Sequence, residues 1–90
     1  MKLIPLTKGY FAKVDDEGFE RLSKFRWRVL IARKGTANPY ATRHGIRENG
    51  KRGTIFMHRE VLNIPVKYGV DHIDRDSLNN QKNNLRPATR

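Results

Sequence analysis

Apolar residues in the first third of the chain change from an alternating pattern to a helical one. Residues 10–16, YFAKVDD, favour a short strand that runs into an acidic turn. Residues 15–25 favour a helix, because Phe19 and Leu22 recur at helical spacing after two aspartates that can cap the first turn. The pattern therefore predicts a strand followed directly by a helix.

The middle of the chain has the alternation of a β-meander, with many β-branched and aromatic residues. The dipeptide Asn49-Gly50 favours a type I′ turn, in which both central residues have positive φ. We therefore expect a three-stranded antiparallel sheet. Its predicted strands are residues 26–34, 39–47 and 52–58.

Shorter elements follow this sheet, and they predict a mixed α+β fold. Pro65 and Pro87 favour ends for two short helices, and Ser77 can cap the second. The predicted elements are a helix at 57–64, a strand at 67–74 and a helix at 77–86. We expect a basic sheet-plus-helix module at residues 1–64 and a second unit at residues 65–90.

Composition narrows the classes of function. The chain has 90 residues, a net charge of +10 and no cysteine, which excludes disulfides and thiolate metal sites. It has no apolar run of membrane-spanning length and no signal-peptide pattern, so we expect no membrane partner. The expected location is intracellular, in a bacterial cytoplasm or that of a phage-infected host. Oligomeric state stays open.

The positive charge is concentrated in the predicted sheet. Residues 26–60 contain nine basic and two acidic side chains, which gives +7 of the total. A localised basic surface on a small domain favours double-stranded DNA as a partner, although an ordinary solvated sheet face would also be charged. The candidate DNA-binding residues are Arg26, Arg28, Arg33, Arg43, Arg47, Lys51, Arg52 and Arg59.

The most polar stretch is VDHIDRDSLNNQKNNL, residues 70–85. Asp71 and His72 pair a metal-binding carboxylate with a side chain that titrates near neutral pH, and a hydrolytic nuclease needs both. We expect one divalent cation at Asp71, Mg²⁺ or Mn²⁺ with Zn²⁺ as a further option, and His72 as general base. Asn84 either caps a helix or locks the loop and so orients the imidazole.

Two resemblances accompany these patterns. The segment MHREVLNIP…YGVDHIDRDSLNNQKNNLR resembles the HNH endonuclease motif of phage and intron-borne homing endonucleases, a ββα-metal finger. Residues 26–63 resemble the three-stranded DNA-binding module of the plant ethylene-response-factor type. Together they imply a DNA endonuclease or nickase.

The HNH resemblance also assigns residues. By it, His72 is the general base, Asp71 the metal ligand and Asn84 the asparagine that orients the histidine loop. Asn80 is structural, and His58 with Arg59 matches a pair that serves packing or a phosphate contact. The third motif residue would lie beyond Arg90, which implies a fragment or a degenerate binder. The alternative function is therefore a non-catalytic DNA-binding module of a phage or mobile element. An RNA-binding protein is a third, weaker alternative.

Overall fold

The computed structural model describes residues 1–31, 38–47, 49–65 and 67–88. Its first unit is a β-hairpin that leads into a helix. The elements are β1, Lys2–Pro5, β2, Phe11–Val14, and α1, Asp16–Ser23. They confirm the predicted strand at 10–16 and the predicted helix at 15–25. The sequence pattern does not predict β1, because only Ile4 among its four residues is buried.

The start of α1 is tied to the far end of the chain. Asp15 precedes the helix, but its side chain does not cap it. Asp15 Oδ2 instead accepts a hydrogen bond of 2.8 Å from the backbone N–H of Lys82. The first helix thus supports the C-terminal segment.

The central unit is the predicted antiparallel sheet, and a short helix follows its last strand without a loop. The sheet order is β3-β4-β5. The elements are β3, Arg28–Ile31, β4, Pro39–Ile46, β5, Arg52–Phe56, and α2, Met57–Val61.

The turn between β4 and β5 differs from the type I′ prediction. Gly50 has a φ of +80°. Its N–H donates to the carbonyl of Arg47 at 2.9 Å. Gly50 is therefore the fourth residue of a turn that begins at Arg47 and not one of its two central residues, so the prediction of a turn is confirmed but its type is wrong.

The C-terminal unit is a second hairpin, β6, Gly69–His72, and β7, Leu85–Ala88, which pair antiparallel. The predicted strand at 67–74 is confirmed. The predicted helix at 77–86 is wrong, because Asp74 and Asp76 just before it and Asn84 within it bond through their side chains to nearby backbone groups and hold the chain in turns. A 3₁₀ turn at Lys82–Asn84 is the helical part that remains. The expected α+β class is confirmed.

One hydrophobic core joins these units. Trp27 is buried within it and donates from Nε1 to the carbonyl of Leu22 at 2.7 Å. Leu78, from the connection between β6 and β7, packs in the same core as residues of the first hairpin. The core residues are Ile4, Ala12, Val14, Leu22, Trp27, Ala41, Met57 and Leu78. No helix within the described ranges has the length and apolar character that a membrane crossing requires.

Candidate active site

His72 ends β6, and its imidazole contacts a buried amide. Its Nε2 lies 2.9 Å from Oδ1 of Asn80, a side chain that is only 1% exposed. With Oδ1 of Asn80 as the acceptor, this contact fits the tautomer that carries the imidazole proton on Nε2 and the lone pair on Nδ1. Asn80 therefore touches the histidine directly, a role that the sequence resemblance does not give it.

The segment 73–84, which we call the His72 loop, is locked by Asn84. The Asn84 side chain donates to Asp74 Oδ1 and to the carbonyl of Asn79, each at 2.8 Å, and accepts from the N–H of Asp74 at 3.0 Å. Its own carbonyl accepts from the N–H of Ile73 at 2.8 Å. Asn84 lies before β7 rather than on the predicted helix, and it acts on the loop while Asn80 acts on the ring.

Asp74 is the second residue whose side chain makes several hydrogen bonds within the His72 loop. It accepts hydrogen bonds from the Asn79 and Asn84 side chains and from the backbone N–H of Asp76. The bond from Asn79 is the main reason that the pKa of Asp74 lies below its usual value, with the N–H of Asp76 next. The sequence signal for this role of Asp74 is the pair of aspartates in DRDS, because an aspartate side chain favours a turn by accepting a hydrogen bond from the backbone two residues later.

The first hairpin holds the other side of the His72 loop. The N–H of Lys13 in β2 donates to the carbonyl of Leu78 at 2.8 Å, and the carbonyl of Lys13 accepts from the N–H of Asn80 at 2.7 Å. The Lys13 ammonium also lies 3.3 Å from Asp76 Oδ2. The amide that contacts His72 is therefore fixed at its backbone as well as by burial.

Aromatic rings also pack near the imidazole of His72. The ring centroid of His58 lies 5.2 Å from that of His72, nearly perpendicular at 84°. Tyr40 lies 5.7 Å from His58 and 6.3 Å from His72, and Phe56 lies 5.3 Å from His58. Burial lowers the pKa of His58 to about 4, helped by its neighbours His72 and Arg59. His58 is thus uncharged at neutral pH. Tyr40 is not among the predicted site residues, because it carries no signal beyond being an aromatic residue in a strand.

Asp71 points away from this cluster. Consecutive residues of a strand face opposite sides, and Asp71 pairs across β7 with Arg86, whose Nη2 lies 3.3 Å from Asp71 Oδ2. Both side chains are more than half exposed. Within the described residues, no three histidine, aspartate or glutamate side chains converge as a cation site.

The strand register defines an outer face of the central sheet. Arg28 lies opposite Thr42, and Thr42 opposite Phe56. The outer face consists of Arg28, Leu30, Tyr40, Thr42, His44, Ile46, Arg52, Thr54 and Phe56. Most of these side chains are exposed, and the face ends where Tyr40 and Phe56 meet the two histidines.

The register separates Arg43 from the arginines of the outer face. Its guanidinium forms an ion pair with Glu60 and lies 3.8 Å from the ring centroid of Phe25, and its side chain is 15% exposed. Arg28 and Arg52 lie on the outer face and are exposed. The candidate DNA-binding arginines of the sheet are therefore divided between its two faces.

Among the remaining candidate DNA-binding residues, three are exposed to solvent and one supports the fold. Arg26, Arg47 and Lys51 are exposed. Arg59 instead supports the segment after α2, because its guanidinium donates to the carbonyls of Tyr68 at 2.8 Å and Pro65 at 3.2 Å. Arg33 lies outside the described residues.

Comparison with protein-family models, with curated proteins and with solved structures gives no significant match for this chain.

Proposed function

We propose that this chain is a hydrolytic DNA endonuclease of the HNH type, with His72 as the general base. The observation that carries the proposal is the setting of His72. Its ring is hydrogen-bonded to buried Asn80 and stands at one end of the outer face, which carries exposed arginines. An oriented base beside a cationic surface suits hydrolysis of a phosphodiester.

The proton assignment supports the chemistry. With the proton on Nε2 held toward Asn80, Nδ1 is free to accept a proton from water. In the proposed step, Nδ1 of His72 takes that proton as the water oxygen attacks the phosphorus. The bond from phosphorus to the 3′ oxygen breaks, and this oxygen takes a proton from solvent. The products are a 3′-hydroxyl and a 5′-phosphate.

Charge favours duplex DNA as the substrate. Arg28 lies beside the corner formed by Tyr40 and Phe56, while Arg52 lies opposite Ile46, about 13 Å farther along β4. Both arginines thus lie on the same side of His72, where they can contact successive phosphates of a duplex that passes along the outer face. Trp27 is 4% exposed and is unavailable for base stacking, which weakens the single-stranded RNA alternative.

The predicted cation ligand and the general base lie on opposite sides of β6. Asp71 is the predicted ligand, but its carboxylate is paired with Arg86 on the side of β6 opposite His72. One exposed carboxylate falls short of the several ligands that usually hold a divalent cation. We therefore derive no step through a metal, and cation dependence becomes an outcome of the test.

The same observation favours a second candidate, a DNA-binding module without catalysis. Such a module needs the outer face and its cations but no metal ligands. It would retard DNA to the same extent with a divalent cation or with a chelator. The two candidates therefore differ in cleavage and agree in binding.

The test uses supercoiled plasmid incubated with the chain in Mg²⁺, in Mn²⁺ or in a chelator. We expect nicking that His72→Ala abolishes and that Arg21→Ala, a control at an exposed side chain of α1 away from the outer face, retains. Fluorescence of buried Trp27 reports whether each variant is folded. Undiminished nicking by folded His72→Ala would refute the mechanism. Retarded but uncut plasmid under all conditions would establish the binding module instead.

A further inference from the structure

The ring of His58 packs against the ring of His72, and the proposed reaction assigns His58 no role. It lies in α2, directly after β5, and its ring is nearly perpendicular to that of His72 at 5.2 Å. Phe56 packs on His58 at 5.3 Å with an interplanar angle of 32°. The half-buried His58 ring therefore stands between the sheet and His72.

A single hydrogen bond does not fix an imidazole. The bond from Nε2 to Asn80 sets the position of one ring atom, but the ring can still turn about that contact. A second contact against the ring plane removes this freedom. Edge-to-face packing at about 5 Å is a favourable geometry for two aromatic rings, so His58 can supply it.

Other rings near His72 are less suited to this task. Tyr40 lies farther away, at 6.3 Å, and meets His72 at a tilted 58°. Its ring also contacts Phe56 and His58, which makes it a support of the cluster. The side chain that stands closest and most nearly perpendicular to His72 is His58.

His58 adds no charge to this corner at neutral pH. Its lowered pKa, about 4, is caused first by burial and then by His72 and Arg59. A cation in its place would oppose the positive charge that His72 acquires when it accepts a proton. The uncharged ring of His58 can therefore restrain the His72 ring without opposing the positive charge that His72 acquires.

We infer that His58 is a positioning residue, which holds the plane of the His72 ring so that Nδ1 faces the attacking water. This inference rests on the proposed function for its effect on cleavage. The restraint itself concerns the free protein and can be observed without any substrate. A misplacement of a reacting group by about 1 Å can cost about a hundredfold in rate.

The first measurement is nitrogen-15 NMR of the imidazole rings, with the three histidines assigned by single substitutions. We expect His72 in the wild-type protein to show one tautomer, protonated at Nε2. In His58→Ala the His72 signals should shift toward a mixture of tautomers, while His58→Phe should keep the wild-type pattern. Phe25→Ala is the control, because Phe25 lies between α1 and β3 and contacts Trp27 and Arg43, which are not part of the outer face.

The second measurement separates single-turnover nicking from DNA affinity. We expect His58→Ala to lower the nicking rate about tenfold to a hundredfold, with Kd for the plasmid within about twofold of wild type. His58→Phe should restore most of the rate. His58→Leu replaces His58→Ala if the latter does not fold, since leucine keeps buried volume but lacks a flat ring.

The outcomes distinguish the two proposals. Unchanged His72 signals in folded His58→Ala or His58→Leu would overturn the positioning role, whatever the nuclease activity. An equal loss of rate in the folded Phe25→Ala control would overturn it as well. If wild-type protein does not nick DNA, the proposed function fails, and the NMR comparison alone decides the role of His58.

Discussion

Protonation of His58 should make the stability of this protein depend on pH in the range from 7.5 to 5. The folded state lowers the pKa of His58 from 6.5 to about 4. The unfolded chain therefore binds more protons than the folded one between these values. The stability contributed by neutral His58 is complete above about pH 6.5 and decreases as the pH falls toward 4.

The size of the effect follows from the two pKa values. Each pKa unit corresponds to about 1.4 kcal/mol, so the fall from 6.5 to about 4 corresponds to about 3 kcal/mol in total. By pH 5, about 2 kcal/mol of this should be lost. The lowered pKa values of Asp16 and Asp74 affect stability only near and below 3.8, so they leave this range unaffected.

Urea unfolding at pH 7.5 and pH 5, followed by fluorescence of the single tryptophan, measures this difference. His58→Phe keeps a ring at the position but cannot titrate, so its free energy of unfolding should change much less over the same range. His44→Gln is the control at an exposed histidine and should behave as wild type. Equal losses in wild type and in His58→Phe would refute the reasoning.

Two further predictions concern the loop and the outer face. Asn84→Ala removes three side-chain hydrogen bonds and should lower the free energy of unfolding by about 3 kcal/mol, as measured by urea unfolding; a loss below 1 kcal/mol would contradict the locking role. The double variant Arg28→Ala/Arg52→Ala should reduce the salt dependence of DNA binding by about two counterions, as measured by fluorescence anisotropy. Arg21→Ala, an exposed charge on α1, is the matched control, and an equal decrease there would contradict the assignment to the outer face.

The central sheet could be predicted because the sequence signals for its strands and for the turn between β4 and β5 are local. Alternating β-branched and aromatic residues with one strong turn dipeptide identify three strands whatever the rest of the chain does. The face on which each arginine lies was not predictable to the same degree. It depends on register, and a shift of one residue exchanges the faces. Arg28 and Arg43 therefore proved to lie on opposite sides.

The C-terminal segment shows a different limit. A cap at Ser77 and a stop at Pro87 favoured a helix, but Ser77 donates instead to the carbonyl of Pro39. The neighbouring asparagines bond within the His72 loop rather than along a helix. The partner of Ser77 lies 38 positions away in the sequence, beyond the reach of local propensity. Local propensity could place His72 at the end of a strand, but it could not find Asn80 beside it.

The contacts between Lys13 and the His72 loop determine when this part of the chain can fold. The contact between Lys13 and Asp76 joins residues that are 63 positions apart in a chain of 90. Contacts of such separation form late, because the closure of a long loop must precede them. As the chain leaves the ribosome, the amide beside His72 cannot reach its place on β2 until the segment through Asn80 has emerged. The first hairpin and the central sheet are therefore synthesised before the corner around His72 can become ordered.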